Sequence, residues 1–267
     1  MNSKNFFKVG IVQFDVRLGD VHSNMKTAFE GIRHLGDQGA KLTVLPEMWS
    51  CGFDNKNLHV YAEKTPAIIE KLSEIASEYH MIIAGSLPEL PESPAEKVFN
   101  TLYLVDEDGS VAGFYRKIHL FSPTGEDTYF FAGNKAVVCE TSMGPIGLMT
   151  CYDLRFPELC RILMDKGALL VVVSAQWPLA RIMHWDILTS ARAIENQVFM
   201  VAANRCGKDP DLEYGGQSRI VSPAGEVLAS ADKNSCVLHA DLDFCKINEF
   251  RNKIPCLKQR VPEAYIV

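Results

Sequence analysis

The chain has 267 residues, of which 47% are hydrophobic, enough to form the core of a large globular domain. A formal net charge of -6, with scattered lysines and arginines, argues against the basic surface that binds nucleic-acid phosphates. We therefore expect no nucleic acid as a partner. The sequence also contains no run of 18 apolar residues, so we expect a soluble protein that does not span a membrane and has no membrane partner.

The eight cysteines and seven histidines indicate neither a disulfide framework nor a metal site. A chain of this length does not need the disulfides of small secreted domains, so we expect reduced thiols and a cytoplasmic location. Residues 1–17 lack the long apolar region and cleavage site of a signal peptide and are interpreted as untargeted. Cys-x-x-Cys and His-x-x-x-His spacings, a Walker loop and a Gly-x-Gly-x-x-Gly motif are all absent from the sequence, and we predict no metal and no cofactor.

Short β-branched runs alternate along the chain with longer segments of helical period, without an internal repeat or a linker, which predicts one domain over residues 1–267. The predicted strands are 9–15, 42–45, 81–85, 100–105, 111–115, 147–150, 169–174, 198–203, 218–222 and 237–240. The predicted helices are 23–35, 66–79, 157–166 and 181–195. Several strands are continuous apolar runs, which indicates burial on both faces and a layered α/β fold.

Chemically capable residues follow three of these strands, at the end where an α/β sheet presents its active groups. Glu47 comes directly after strand 42–45, although a glutamate there could also belong to a solvated surface loop. Lys117, with Arg116 and His119, interrupts an aromatic stretch after strand 111–115, and a solvated charge pair would explain that pattern equally well.

Cys151 directly follows strand 147–150, and a helix is predicted to begin a few residues later. This arrangement is typical of a nucleophile elbow, in which a thiol stands beside backbone N–H groups that can receive an oxyanion. The alternative is a buried structural cysteine, because free cysteine is among the most buried residue types.

In this order, Leu45-Pro46-Glu47-Met48, the segment 115–121 (YRKIHLF) and the segment 151–158 (CYDLRFPE) resemble the glutamate, lysine and cysteine motifs of the nitrilase superfamily of carbon-nitrogen hydrolases. The resemblance continues through 193–197, 203–205 and 215–218, so it covers nearly the whole chain. It implies a four-layer αββα sandwich that commonly dimerises through a helical face. Segments 174–178 and 181–197 look like the omega-amidase branch, which acts on short dicarboxylic monoamides such as 2-oxoglutaramate.

The resemblance implies roles for particular residues: Cys151 is the nucleophile, Glu47 the base and Lys117 the oxyanion stabiliser with the backbone N–H of Tyr152. The family's additional glutamate falls on Glu126. Moving a proton from a thiol to a glutamate costs about 6 kcal/mol in water. An ammonium about 4 Å from the thiolate stabilises it by about 4 kcal/mol, which offsets most of that cost. A cysteine nucleophile with a glutamate base can therefore work without histidine.

The implied reaction releases ammonia and leaves a thioester that water hydrolyses. Arg155 is the candidate to bind a distal carboxylate, although it could simply form a salt bridge at a helix start. Trp177 could form an apolar wall of the pocket or belong to the core.

Other functions remain open from sequence. The amide could be a different one, or the substrate an N-carbamoyl compound or a nitrile. A papain-like site of Cys151, His184 and Asn204 would leave Glu47 and Lys117 without roles. A binding protein that uses the same fold only to hold a metabolite belongs to a different class.

Overall fold

The computed structural model describes residues 6–93, 95–210 and 212–264. The strands are β1 Phe6–Gln13, β2 Leu42–Val44, β3 Ile82–Glu89, β4 Val98–Val105, β5 Val111–Arg116, β6 Phe130–Phe131, β7 Val138–Cys139, β8 Ile146–Thr150, β9 Leu170–Ala175, β10 Phe199–Asn204, β11 Cys206–Lys208, β12 Glu213–Gly215, β13 Arg219–Val221, β14 Val227–Ser230 and β15 Cys236–Asp243. The α-helices are α1 Val21–Asp37, α2 Leu58–Ala62, α3 Thr65–Tyr79, α4 Glu126–Tyr129, α5 Pro157–Asp165, α6 Ile182–Asn196 and α7 Cys245–Lys253.

Most of these strands form two sheets. The first has the order β15-β1-β2-β3-β4-β5, with β6 beside β4, and its β1, β2 and β3 are parallel. The second has the order β14-β13-β10-β9-β8-β7, and its β8, β9 and β10 are parallel. In both sheets antiparallel strands flank a short parallel centre, so the carboxyl ends of the central strands point to one edge.

The two sheets pack face to face, and helices cover their outer faces. One apolar cluster joins the inner faces, for example Val44 and Leu102 of the first sheet with Leu148 and Val172 of the second. A second cluster packs α1 and α3 on the outside of the first sheet, while α5 and α6 contact the strands of the second. The chain is therefore a four-layer αββα sandwich.

Local sequence explains where the main helices begin. Asp20 caps α1 by accepting a hydrogen bond from the Ser23 backbone N–H at 3.0 Å. Pro66 and Pro157 occupy the first turns of α3 and α5, where a missing N–H costs no helical hydrogen bond.

The ten predicted strands and four predicted helices are all present, with bounds that differ by a few residues; α1, for example, starts at Val21 rather than at residue 23. The sequence pattern did not predict the short helices α2 and α4, or α7, whose segment is mostly polar and buries Ile247 alone. It also did not predict the short strands β6, β7, β11 and β12, which are too brief to show a period, or β14. Within the described ranges no helix is long and apolar enough to cross a membrane.

Candidate active site

The residues singled out by sequence come together where strand ends of both sheets meet. Lys117 follows β5 of the first sheet and Cys151 follows β8 of the second, while Glu47 comes three residues after β2. The two sheets are tied together here, since the Ser174 hydroxyl donates to the Leu45 carbonyl at 2.8 Å. The site thus lies between the sheets, at the edge expected from their parallel strands.

Glu47 is fully buried rather than part of a solvated loop. Its Oε1 accepts hydrogen bonds from Lys117 Nζ at 2.9 Å and from Asn100 Nδ2 at 2.8 Å. Its Oε2 accepts from the backbone N–H of Gln176 at 3.0 Å. Lys117 follows β5, Asn100 lies within β4 and Gln176 follows β9, so donors from three strands fix both oxygens of this buried carboxylate.

Lys117 is also buried, and a second carboxylate faces its ammonium group. Nζ donates to the two oxygens of Glu126, at 2.7 and 2.9 Å. Glu126 begins the one-turn helix α4, and the Phe121 backbone N–H donates to its Oε2 at 2.6 Å. The Lys117 ammonium therefore donates to two carboxylates, those of Glu47 and Glu126.

Cys151 occupies a strained turn at the end of β8. Its φ angle of +45° lies in the left-handed region, which is uncommon for any residue other than glycine. A 3-10 helix over Cys151–Arg155 begins at the same residue, so the strand turns sharply there. Strain of this kind persists only where surrounding contacts impose it and clusters at functional sites.

Burial and neighbouring charges set the protonation states at this site. Burial, followed by the charge of Glu47, raises the pKa of the Cys151 thiol well above its usual range, although Lys117 opposes this. Burial likewise raises the pKa of Glu47, again against the effect of Lys117. Burial alone would lower the pKa of Lys117, but Glu126 and Glu47 outweigh it, and the pKa is raised. The resting site therefore has a thiol and a charged ammonium.

A cavity of about 190 Å³ opens onto these groups. Its lining includes Glu47, Lys117, Glu126, Cys151, Tyr152, Arg155, Trp177 and Arg181. All seven site residues predicted from sequence therefore line one cavity. Its aromatic walls come from Phe53, Phe121, Tyr152, Trp177 and Tyr214. A volume of this size accommodates a small molecule rather than a polypeptide.

Two half-buried arginines share the cavity. The Arg155 guanidinium carbon lies 4.7 Å from the Trp177 ring centroid, and its Nη2 is 3.2 Å from His184 Nδ1. The Arg181 guanidinium carbon lies 5.2 Å from the Phe121 ring centroid. Burial, together with the repulsion of Arg181, lowers the pKa of Arg155. Stacking on an aromatic face leaves the N–H groups at a guanidinium's edge available to an anion.

Sequence patterns did not identify Asn100, Gln176 and Arg181. Asn100 lies inside β4. Gln176 directly follows β9, so the position after a strand that indicated Glu47 and Cys151 could also have indicated Gln176. Arg181 was assigned to a helix, whereas it ends the 3-10 turn Leu179–Arg181 immediately before α6.

The papain-like interpretation fails on geometry. His184 contacts Arg155, and the Asn204 side chain is bonded to the backbone of Trp177 and Gly216. Glu47, by contrast, is close enough to the Cys151 thiol to raise its pKa. In the part of the chain that the structure describes, no group of three or more His, Cys, Asp or Glu residues could hold a metal ion.

Comparison with known proteins identifies a family and its relatives. The carbon-nitrogen hydrolase family model matches residues 8–252. A 2-oxoglutaramate amidase from Bacillus subtilis (strain 168) is 36% identical over 249 residues, covering 92% of this chain and 95% of the relative. The human protein named omega-amidase NIT2 is 33% identical over 273 residues, covering 98% of this chain and 97% of the relative.

A solved structure adds information on the cysteine. A mutant amidase from Nesterenkonia sp. AN1, with the acetamide moiety of fluoroacetamide added covalently at its active-site cysteine, superposes with a TM-score of 0.82. It is 29% identical, with 93% of this chain and 96% of that chain covered.

Proposed function

The chain belongs to the carbon-nitrogen hydrolase family and is a cysteine-dependent amidase, and on that basis we propose that Cys151 hydrolyses the terminal amide of a short dicarboxylic or 2-oxo dicarboxylic acid. The observation that carries the proposal is the meeting of Cys151, Glu47 and Lys117 in a cavity that also holds two arginines. The relatives named 2-oxoglutaramate amidase and omega-amidase support the same substrate class.

The first chemical step forms a thioester. As Cys151 Sγ attacks the amide carbonyl, Glu47 accepts the thiol proton, so the charge of the site stays constant during the transfer. The carbonyl oxygen becomes an oxyanion, which the Lys117 ammonium and the backbone N–H of Tyr152 stabilise. Glu47 then gives the proton to the amide nitrogen, the C–N bond breaks and ammonia leaves.

The second step removes the acyl group. Glu47, ionised again, accepts a proton from a water molecule that attacks the thioester carbonyl. The C–S bond breaks, Cys151 regains its proton, and the dicarboxylate product leaves. Glu126 acts by holding Lys117, because both of its oxygens accept from the ammonium.

The charges that line the cavity favour an anionic substrate. Lys117, Arg155 and Arg181 supply three positive charges, and Glu47 and Glu126 two negative ones, a formal excess of one positive charge among the described lining residues. Glu47 and Glu126 are both used by Lys117, which leaves the arginines to bind the substrate's distal carboxylate. Trp177 and Tyr152 would form the apolar walls along its methylene chain.

A substrate panel tests the proposal. Ammonia release is measured from 2-oxoglutaramate, succinamate and butyramide, the last of which matches succinamate in length but lacks the carboxylate. We expect the wild-type protein to release ammonia from 2-oxoglutaramate and succinamate with a kcat/KM at least about tenfold higher than from butyramide. The Cys151→Ala variant should release no ammonia from any of the three. Turnover of butyramide without turnover of the two amides that carry a carboxylate would change the substrate class. Folded protein without turnover would favour the metabolite-binding alternative.

The proposal includes a homodimer in which α5 and α6 of two copies pack together. Met183 and Ile187 of α6 are 64% and 58% exposed, and Ile194 continues the same stripe, with Ile162 of α5 also exposed. Large apolar residues at helical spacing on a solvent face are typical of an interface, and a two-fold axis would pair the stripe with itself. We further propose that residues 1–267 act as one domain in the cytoplasm.

A further inference from the structure

Asp153 is a buried carboxylate that the reaction described above does not use. It lies in the turn that follows Cys151, and its side chain is fully shielded from solvent. A buried carboxylate needs several hydrogen bonds to offset its desolvation, so the identity of its donors shows what it holds together.

The donors to Asp153 come from two segments of the chain. Its Oδ2 accepts from the Tyr115 hydroxyl at 2.7 Å and from the Thr150 backbone N–H at 2.9 Å. Its Oδ1 accepts from His119, through the backbone N–H at 3.1 Å and through Nδ1 at 2.7 Å. Tyr115 and His119 stand two residues before and two residues after Lys117, and Thr150 directly precedes Cys151.

Further contacts reinforce the junction. The Tyr115 hydroxyl accepts the Ile118 backbone N–H at 3.1 Å while it donates to Asp153. The His119 ring stacks on Phe156, with centroids 3.6 Å apart and planes 7° from parallel. Both sides of the Lys117 backbone are thus fixed to the turn that carries the nucleophile.

We propose that Asp153 is a positioning residue that sets the placement of Lys117 relative to Cys151 and maintains the left-handed turn at the cysteine. A rigid link of this kind matters because a displacement of about 1 Å of a catalytic group can cost about a hundredfold in rate. For its kinetic test the inference rests on the proposed amidase function, whereas its test by thiol reactivity does not.

The kinetic test compares Asp153→Asn with Asp165→Asn, which removes an exposed carboxylate paired with Arg260 on the protein surface. In protein shown to be folded by circular dichroism, we expect kcat for succinamate to fall about tenfold to a hundredfold in Asp153→Asn, with KM within about threefold of wild type. Asp165→Asn should retain wild-type kcat. Folded Asp153→Asn with wild-type kcat would overturn the proposal.

If Asp153→Asn does not fold, Tyr115→Phe carries the test, because it removes one donor and leaves the carboxylate in place. We expect a several-fold loss in kcat at unchanged KM, and wild-type kcat in this variant would overturn the proposal.

Alkylation of Cys151 by iodoacetamide, followed by peptide mass spectrometry, gives a readout that needs no substrate. Without the link, the placement of Cys151 relative to Glu47 and Lys117 should change, and the pH at which its alkylation reaches half-maximal rate should shift from the wild-type value. An unchanged alkylation profile in a folded variant would contradict the proposal. Failure of the amidase function would instead appear as an inactive wild type with this shift intact.

Discussion

Lys117 Nζ lies 2.9 Å from Glu47 Oε1, although 70 residues separate the two in the chain. The contact joins the residue that follows β5 to the residue that comes after β2, and it buries both charges. A buried ion pair offsets its desolvation only if the remaining donors and acceptors of both groups are also hydrogen-bonded. Glu126 accepts from the Lys117 ammonium and Asn100 donates to the Glu47 carboxylate, which meets that need. In the proposed mechanism, this contact brings the base and the oxyanion stabiliser to the same substrate carbonyl.

Replacement of the base tests the role of Glu47. Glu47→Gln should lower kcat by about a hundredfold to ten-thousandfold, because the amide cannot accept the thiol proton. Steady-state ammonia release measures the effect. Glu89→Gln is a matched control, since Glu89 pairs with Arg116 outside the cavity lining. Equal losses in the two variants would argue against Glu47 as the base.

The pH profile should follow the protonation of Glu47. Because burial raises its pKa, the ionised form is lost at higher pH than for an ordinary glutamate, and kcat/KM should fall there as the pH decreases. The raised pKa of Cys151 keeps the thiol protonated, so kcat/KM should show no fall near pH 8.5, about the usual pKa of a free thiol. If kcat/KM instead fell on the acid side at the pKa of an ordinary glutamate and on the alkaline side near pH 8.5, about the usual pKa of a free thiol, these protonation states of Glu47 and Cys151 would be refuted.

Glu126 should affect both the rate and that acid limb. Its charge raises the pKa of Glu47, so Glu126→Gln should move the acid limb to lower pH. Loss of a hydrogen bond to the Lys117 ammonium should also reduce kcat about tenfold to a hundredfold. The pH dependence of kcat/KM in this variant checks both effects, and a limb that moves upward would contradict the arrangement.

The arginines should determine selectivity for the carboxylate. Arg155→Gln and Arg181→Gln should each lower kcat/KM for succinamate about tenfold to a hundredfold, since a charged hydrogen bond is lost, and leave butyramide turnover within about threefold. The ratio of the two substrates is the measured quantity. Equal losses on both substrates would show that the arginines support the site without binding the carboxylate.

The interface is tested with a charge. Ile187→Glu places two like charges across a two-fold interface and should yield a monomer in analytical ultracentrifugation. Val60→Glu changes an apolar residue of similar exposure on α2 and should leave the assembly unchanged. A wild-type monomer, or a dimer that survives Ile187→Glu, would contradict the proposed interface.

The sequence was informative where a chemically capable residue followed a predicted strand. Leu42–Val44 and Ile146–Thr150 are fully buried strands, and the position of Glu47 and Cys151 just after them predicted that both lie at a sheet edge. Glu126 depended on family resemblance, because a single-turn helix gives no periodic signal. The sequence did not predict Asn100 and Arg181 as site residues, because their role depends on the direction of the side chain within its element. Strand and helix patterns do not indicate which residues such a side chain contacts.

Acyl-enzyme formation tests the central claim most directly. Wild-type protein mixed with succinamate is quenched in acid within the first turnovers, and the peptide that carries Cys151 is examined by mass spectrometry, beside Cys151→Ala. We predict one succinyl group on Cys151, lost on addition of hydroxylamine, which cleaves thioesters, and no adduct in the variant. Ammonia release without any adduct at Cys151, or an adduct that persists in Cys151→Ala, would contradict a thioester mechanism at this cysteine.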